Sequence, residues 1–347
     1  MGTAIFDHPW LGGLVSDPET EALLGPEAEI AAMIDFERAL AAAEAACGVI
    51  PAAAASRIGA ALEGFRPDLA ALRSATARDG VVVPDLVRQL RAAAGENGAS
   101  LHFGATSQDV IDTALILRLK PLVGLWRSRL RALDHALGIL AERFGDKRLM
   151  GRTRMQAAIP ITAGDRIAAW RGPLPRHLAR LDALERDLLV LQFGGAAGTL
   201  EKLGPQAGAV RAALADRLGL GDAPQWHSQR DRIAALADWL ALVAGTLGKL
   251  GQDVALMAQG GEIRLSGGGK SSAMAHKQNP VAAESLVALA RFTAVQVGGL
   301  HQAMIHEQER SGGAWTLEWL LLPPTLLATG AALVTAQTLV GAVTEIG

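Results

Sequence analysis

Two serines, a histidine, a lysine and an asparagine fall within nine residues in Ser271-Ser272-Ala273-Met274-Ala275-His276-Lys277-Gln278-Asn279, directly after Gly267-Gly268-Gly269-Lys270. Glycine reaches backbone angles that other residues avoid, so the segment starts as a loop able to move. It runs into an apolar helix whose first turn Pro280 suits. A mobile loop that brings hydroxyl, imidazole, ammonium and carboxamide groups to a helix N-terminus is suited to closing over an anion. A solvated Gly/Ser linker would account for the glycines, but not for His, Lys, Asn and Met at set places.

Five other stretches carry groups of this kind. Leu101-His102-Phe103-Gly104-Ala105-Thr106-Ser107-Gln108-Asp109-Val110-Ile111-Asp112-Thr113 reads as a helix start, with Thr106 or Ser107 as its cap and acids in the first turn to suit the dipole. Free N–H groups and hydroxyls at such a start also hold carboxylates. In Gly151-Arg152-Thr153-Arg154-Met155-Gln156-Ala157-Ala158-Ile159-Pro160, two arginines and a glutamine beside a helix start could grip carboxylates bidentately, or form a basic solvated turn. Residues 192–200 end a helix in a Gly-rich turn, an ordinary cap or an anion nest. Residues 225–231 and 306–310 complete the set, and the latter also fits a solvated helical face. No zinc-like Cys/His spacing, no G-x-G-x-x-G and no P-loop occurs, so no cofactor and no metal is expected.

Long helices must position these stretches. Residues 1–100 read as an N-terminal domain of short helices broken by Pro and Gly, the clearest over 27–47. Residues 101–347 read as a central domain of long helices that carries the loop 267–280. From Thr113 to Phe144, Leu115, Leu119, Leu122, Trp126, Leu130, Leu133, Leu137 and Leu140 recur at steps of three and four. That spacing predicts one long helix with a continuous buried stripe. A second stripe, from Ile167 through Trp170, Leu174 and Leu181 to Leu191, predicts a helix kinked at Pro173 and Pro175. Further helices are expected over about 230–260, 281–306 and 316–345, with the tryptophans in the core. Such lengths fit an all-α bundle better than an α/β sheet, and stripe left over on one chain would be covered by neighbouring subunits.

Composition narrows the class. Half of the 347 residues are hydrophobic, 4% are aromatic and none is tyrosine. Alanine and leucine favour helix. A net charge of -2 offers nothing to nucleic acid or to an acidic membrane surface. The lone Cys47 allows no internal disulfide and fits a reducing, cytoplasmic compartment. The first residues show no signal-peptide pattern, and every long apolar run carries charges or glycines, so no membrane span is expected.

The loop resembles the signature of the fumarase/aspartase superfamily, usually Gly-Ser-Ser-x-Met-Pro-x-Lys-x-Asn-Pro. Lys270 replaces the glycine and Ala275 the proline. Superfamily lyases often carry Thr-His-x-Gln where this chain has Arg154, a difference that points to the cycloisomerase branch. His102-Phe103-Gly104-Ala105-Thr106-Ser107-Gln108-Asp109, Gly194-Gly195-Ala196-Ala197-Gly198-Thr199-Leu200, Trp226-His227-Ser228-Gln229-Arg230-Asp231-Arg232 and His306-Glu307-Gln308-Glu309-Arg310-Ser311-Gly312-Gly313-Ala314-Trp315 are similar, in the same order, to the 3-carboxy-cis,cis-muconate cycloisomerase family. The resemblance covers nearly the whole chain. Members of that family continue into a further small helical domain, which this sequence is expected to lack.

The resemblance implies a homotetramer with active sites shared between subunits. It implies cofactor-free lactonisation of 3-carboxy-cis,cis-muconate to 4-carboxymuconolactone, in the protocatechuate branch of the β-ketoadipate pathway. It further implies that Ser271, Lys277, His102 and Arg154 are catalytic, with Ser271 moving the proton. Thr106, Ser107, Arg152, Thr153, Gln156, His276 and Asn279 would bind the substrate, a small tricarboxylate that justifies so many donors. A lyase of the same superfamily, such as adenylosuccinate lyase, is the alternative, since it shares Ser-Ser-Ala-Met and a TSxD-type string. A catalytically inactive structural homologue is another.

Overall fold

Five short helices lead into the bundle: α1 (Pro18–Leu24), α2 (Pro26–Ala46), α3 (Ala52–Leu62), α4 (Leu69–Asp79) and α5 (Val83–Ala94). The structure is a computed structural model that describes residues 3–270, 272–274 and 277–347. Local chemistry sets the ends of these helices. Proline occupies the first turn of α1 and α2, and the Asp17 and Asp68 side chains cap α1 and α4. The longest helix of the bundle follows.

Helix α6 (Ser107–Phe144) runs 38 residues, unbroken through Pro121. Its expected stripe is real, since Leu119, Leu122, Trp126, Leu130, Leu133, Leu137 and Leu140 are all buried. At 1.5 Å per residue it is about 57 Å long. Beyond it comes a hairpin, β1 (Arg148–Thr153) and β2 (Gln156–Thr162), and then α7 (Ala163–Arg171) and α8 (Leu174–Leu188). The single kinked helix expected over 167–191 is therefore two helices. Gly172 ends the first and Pro173 precedes the second. Nor is 151–160 a helix start. It is strand and turn, and the helix begins only at Ala163, where Thr162 and Asp165 cap it reciprocally.

Helix α9 (Ala207–Leu218) packs on α2, and α10 (Asp231–Gln259) returns the chain along the bundle. After α10 come β3 (Ile263–Leu265), β4 (Gly269–Lys270), β5 (Gln278–Asn279), α11 (Val281–Gln302), α12 (Gly313–Gly341) and β6 (Val343–Ile346). Glycine makes the α10–α11 contact close. A Cβ at Gly248 would sit 2.4 Å from the Ala290 Cβ, and one at Gly251 would sit 2.6 Å from the Ala283 carbonyl oxygen. Strand β6 pairs antiparallel with β3, tying the end of α12 to the end of α10.

Two expectations need correction. By length and composition α10, α11 and α12 could each cross a membrane, against the reading that no span exists. Helices α10 and α12 bury 61% and 56% of their apolar windows inside the fold, whereas α11 buries only 22%. Interior packing accounts for the first two. Five tryptophans are buried and Trp319 is half-buried, but Trp10 lies 74% exposed.

Candidate active site

Helices α6 and α10 run in the same direction, so the chain has two polar ends. At the first end, Arg230 at the start of α10 meets Asp112 near the start of α6. At the second, Arg152 beyond the end of α6 pairs at 2.8 Å with Glu262 beyond the end of α10.

One carboxylate organises the first end. Asp109, in the first turn of α6, accepts from Thr106 N at 3.0 Å, Gly194 N at 2.8 Å, Gly195 N at 2.9 Å and Gln192 Nε2 at 3.2 Å. His227 Nε2 lies 2.8 Å from its Oδ1. The α6 start, the Gly-rich turn and the 225–227 segment are thus brought together around a fully buried acid. Gly195 must be glycine here: its φ is 70°, and a Cβ would meet the Gly104 carbonyl oxygen at 2.8 Å. Residues 192–200 do form an anion nest, but the anion that fills Gly194 and Gly195 is the protein's own Asp109. Helix α8 ends at Leu188, so this turn lies beyond the helix rather than at its cap. Residues 306–310 are not helical either. They lie between α11 and α12, and Arg310 donates to the Ala196 carbonyl at 3.0 Å.

Beneath Asp109 lies a buried ionic cluster. Arg230 donates to Asp112 Oδ2 at 2.7 Å and to Glu318 Oε2 at 3.0 Å, and Trp315 Nε1 donates to Asp112 Oδ1 at 3.3 Å. Burial works against the Arg230 charge, but the two carboxylates outweigh it and hold the guanidinium above its usual range. Burial pushes Glu318 upward.

His102 sits at the same end on the loop into α6, half-buried, with φ 62° and Nδ1 2.6 Å from Glu37 Oε1. Thr106 is the half-buried N-cap of α6 and Ser107 its first residue. These three predicted site residues are brought together. Glu44 is buried behind Glu37, and burial first, then the Glu37 charge, pushes its carboxyl up to about 8. In an unfolded chain it would titrate near 4.5. The folded form therefore holds a proton that the unfolded form releases. The associated stability is fully present below about pH 4.5 and is lost as pH rises through 8. Glu44→Gln should abolish that loss, worth on the order of a few kcal/mol. Denaturant midpoints at pH 6 and pH 9 check this; an equal decline in both proteins would refute it.

The second end carries the other predicted residues. The β1–β2 hairpin turns at Arg154 and Met155, both at positive φ (48° and 68°), the handedness that a two-residue hairpin loop needs. Arg152, Thr153, Arg154 and Gln156 are all exposed. The signature loop is framed by a second small hairpin, with Gly269 opposite Asn279 and Lys270 opposite Gln278. Gly268, at φ 135°, opens it in a conformation that side chains rarely allow. Lys277 is exposed and Asn279 half-buried. Ser271, Ala275 and His276 lie outside the described residues. About 57 Å of helix separates this set from His102 and Thr106, so one chain does not bring all the predicted residues together. Among the described residues, no group of three His, Cys, Asp or Glu is placed to hold a metal.

Motif reading passed over Glu37, Glu44 and Glu318, gave Arg230 no role of its own, and took Asp109 and Asp112 for dipole partners. A signal was present for the glutamates. Met33, Glu37, Leu40 and Glu44 recur at steps of four and three, which puts acids on the apolar stripe of α2.

A bundle of long helices with polar clusters at both ends defines a class, and comparison with known proteins places it. A family model described as Lyase matches residues 22–299, and the chain belongs to that family. Among its relatives, the 3-carboxy-cis,cis-muconate cycloisomerase of Pseudomonas aeruginosa is 45% identical over 312 residues, 87% of this chain and 68% of that protein. The protein of the same name from Bradyrhizobium diazoefficiens is 40% identical over 96% of this chain and 76% of its own length. The crystal structure of the 3-carboxy-cis,cis-muconate lactonizing enzyme from Pseudomonas putida superposes with a TM-score of 0.92 at 38% identity, covering 97% of this chain and 77% of that one. The resemblance carried by the motifs, and the all-α fold it implied, are borne out.

Proposed function

We propose that this protein lactonises 3-carboxy-cis,cis-muconate to 4-carboxymuconolactone without a cofactor, in the breakdown of protocatechuate. The observation that carries the reading is the 45% identity with the Pseudomonas aeruginosa cycloisomerase, which extends over 87% of the chain.

The chemistry asks little of the protein beyond charge and one proton. A substrate carboxylate, already ionised, adds its oxygen across a C=C bond, so no base is required. The displaced electron pair builds negative charge on the neighbouring carboxylate-bearing carbon, which then takes a proton. What the site must supply is cationic stabilisation of that enolate-like carboxylate and one placed donor. Ser271 is the donor in this reading, with Lys277 and the helix after Pro280 stabilising the alkoxide it becomes. His102, Thr106 and Ser107 hold one carboxylate at the start of α6. Arg152, Thr153, Arg154 and Gln156 on the hairpin, and His276 and Asn279 on the loop, hold the others.

Because these sets lie at opposite ends of one chain, a complete site takes its parts from different copies. A homotetramer built on the central helices meets that need. Helix α11 supports it, being apolar yet largely uncovered, and Val295 on α11, Leu242 on α10 and Leu320 on α12 are exposed at 74%, 48% and 67%. Residues 1–100 form a helical unit beside the 101–347 bundle in this arrangement. The unpaired Cys47 fits a cytoplasmic location.

Loss of the ultraviolet absorbance of 3-carboxymuconate on mixing with the protein tests the reading directly, and no loss would overturn it. Ser271→Ala should lower kcat by a factor of about 100 or more while substrate still binds, the usual contribution of a placed proton donor. Retention of more than about a tenth of wild-type kcat would remove Ser271 from that role.

A further inference from the structure

Two glutamates face the interior from α2 where core packing would favour leucine or alanine. Glu37 and Glu44, seven residues or roughly two turns apart, are 1% and 0% exposed. Only one of their four oxygens has a hydrogen-bond partner: Glu37 Oε1 meets His102 Nδ1 at 2.6 Å, while Glu37 Oε2 and both oxygens of Glu44 have none among the described residues. Burying acids so poorly satisfied is costly, several times a lost hydrogen bond. The residue they support is itself held in an unfavourable backbone region, at φ 62°. Such costs gathered at one place point to a function rather than to packing.

The other ring nitrogen of His102, Nε2, makes no hydrogen bond among the described residues, and the side chain keeps 14% of its surface open, beside Thr106. We propose that Glu37 is a positioning residue: it accepts a hydrogen bond from His102 Nδ1–H, fixes the ring, and leaves Nε2 to donate to a carboxylate of the substrate. Glu44 keeps a second negative charge out of the same pocket by retaining its proton. The inference deepens the cycloisomerase reading and rests on it for the identity of the carboxylate.

The charged surroundings agree. Burial opposes the imidazolium, but the Glu37 charge outweighs it and Asp109 on α6 adds to it, so His102 titrates above the ordinary imidazole value; Arg91 on α5, which donates to the Leu101 carbonyl, acts against. Glu44 is pushed up to about 8, so near neutral pH it adds no second charge to the pocket. A ring fixed through Nδ1 on Glu37 turns Nε2 outward, where an anionic ligand can meet it.

Two measurements on the full-length protein test this, one without substrate. In a 15N-histidine NMR titration, with the His102 signal assigned by its loss in His102→Asn, the wild-type ring should titrate above 6.5 and Glu37→Gln should lower it by about one unit or more. A wild-type ring titrating at or below 6.5, or one that Glu37→Gln leaves unmoved, would overturn the proposal; the first outcome decides even if the variant does not fold. With 3-carboxymuconate as substrate, Glu37→Gln should raise KM about tenfold with a smaller change in kcat, and should add nothing once His102 is already Asn. The same fold-change in both backgrounds would make Glu37 a packing residue and end the idea. If the titration moves as stated but 3-carboxymuconate is not consumed, the positioning role stands and the substrate assignment falls.

Discussion

Chains inactivated by Thr106→Ala and chains inactivated by Lys277→Ala, mixed, unfolded and refolded together, should regain about a quarter of wild-type activity. The reason is the length of α6. Thr106 caps its first turn, while Lys277 lies in the loop between β4 and β5 that follows the end of α10. The two helices run in parallel, so these residues stand at opposite ends of the chain. A helix of 38 residues separates its ends by about 57 Å, several times the size of a small tricarboxylate. A site containing both must draw them from different copies. In a random mixture half the positions that supply Thr106 are intact, and half of those that supply Lys277, which gives the quarter. Were every site built within one chain, each would keep one defect. Activity that stays at the level of the separate variants, with mixed oligomers verified by native mass spectrometry, would rule out sharing.

Arg230→Leu should destabilise the protein by on the order of 3–5 kcal/mol. Its guanidinium joins Asp112 on α6 to Glu318 on α12, and all three residues are within 2% of complete burial. Removing the cation leaves two buried acids facing each other, a far greater loss than that of the hydrogen bonds alone. Replacing all three by apolar residues of similar volume should restore much of the stability, because the cost of desolvating the charges then disappears as well. Thermal unfolding of the single and triple variants checks both claims. A single variant that melts within a degree or two of wild type would show that the cluster is not what joins α6, α10 and α12.

The long helices were legible because burial imposes a period on sequence. The apolar steps from Leu119 to Leu140 had no reading but a helix, and the Thr106–Asp109 start carried its own capping chemistry. The hairpin at 148–162 was not legible. Strand β2 is exposed along most of its length, so neither face imposes alternation, and Pro160 argued against a strand. Residues 306–310 misled for a related reason, since charges spaced three apart suit an exposed helix as well as a loop. The site showed the same division. Its outward-facing groups sit in recognisable strings, whereas Glu37 and Asp112 do their work from inside helices, where spacing alone does not say which neighbour a carboxylate will meet.

Because two parallel helices run from one set of proposed substrate-binding groups to the other, their residue count acts as a ruler. Adding one residue to the middle of α6 would advance everything beyond it by about 1.5 Å and turn it by about 100°. The hairpin that carries Arg152 and Arg154 would then point away from Glu262, and the stripe from Leu130 to Leu140 would be turned out of the core. A substitution on the surface of these helices is a local event, but a change in their length is felt at both ends. The bundle should therefore accept many exchanges of side chain and almost no insertions.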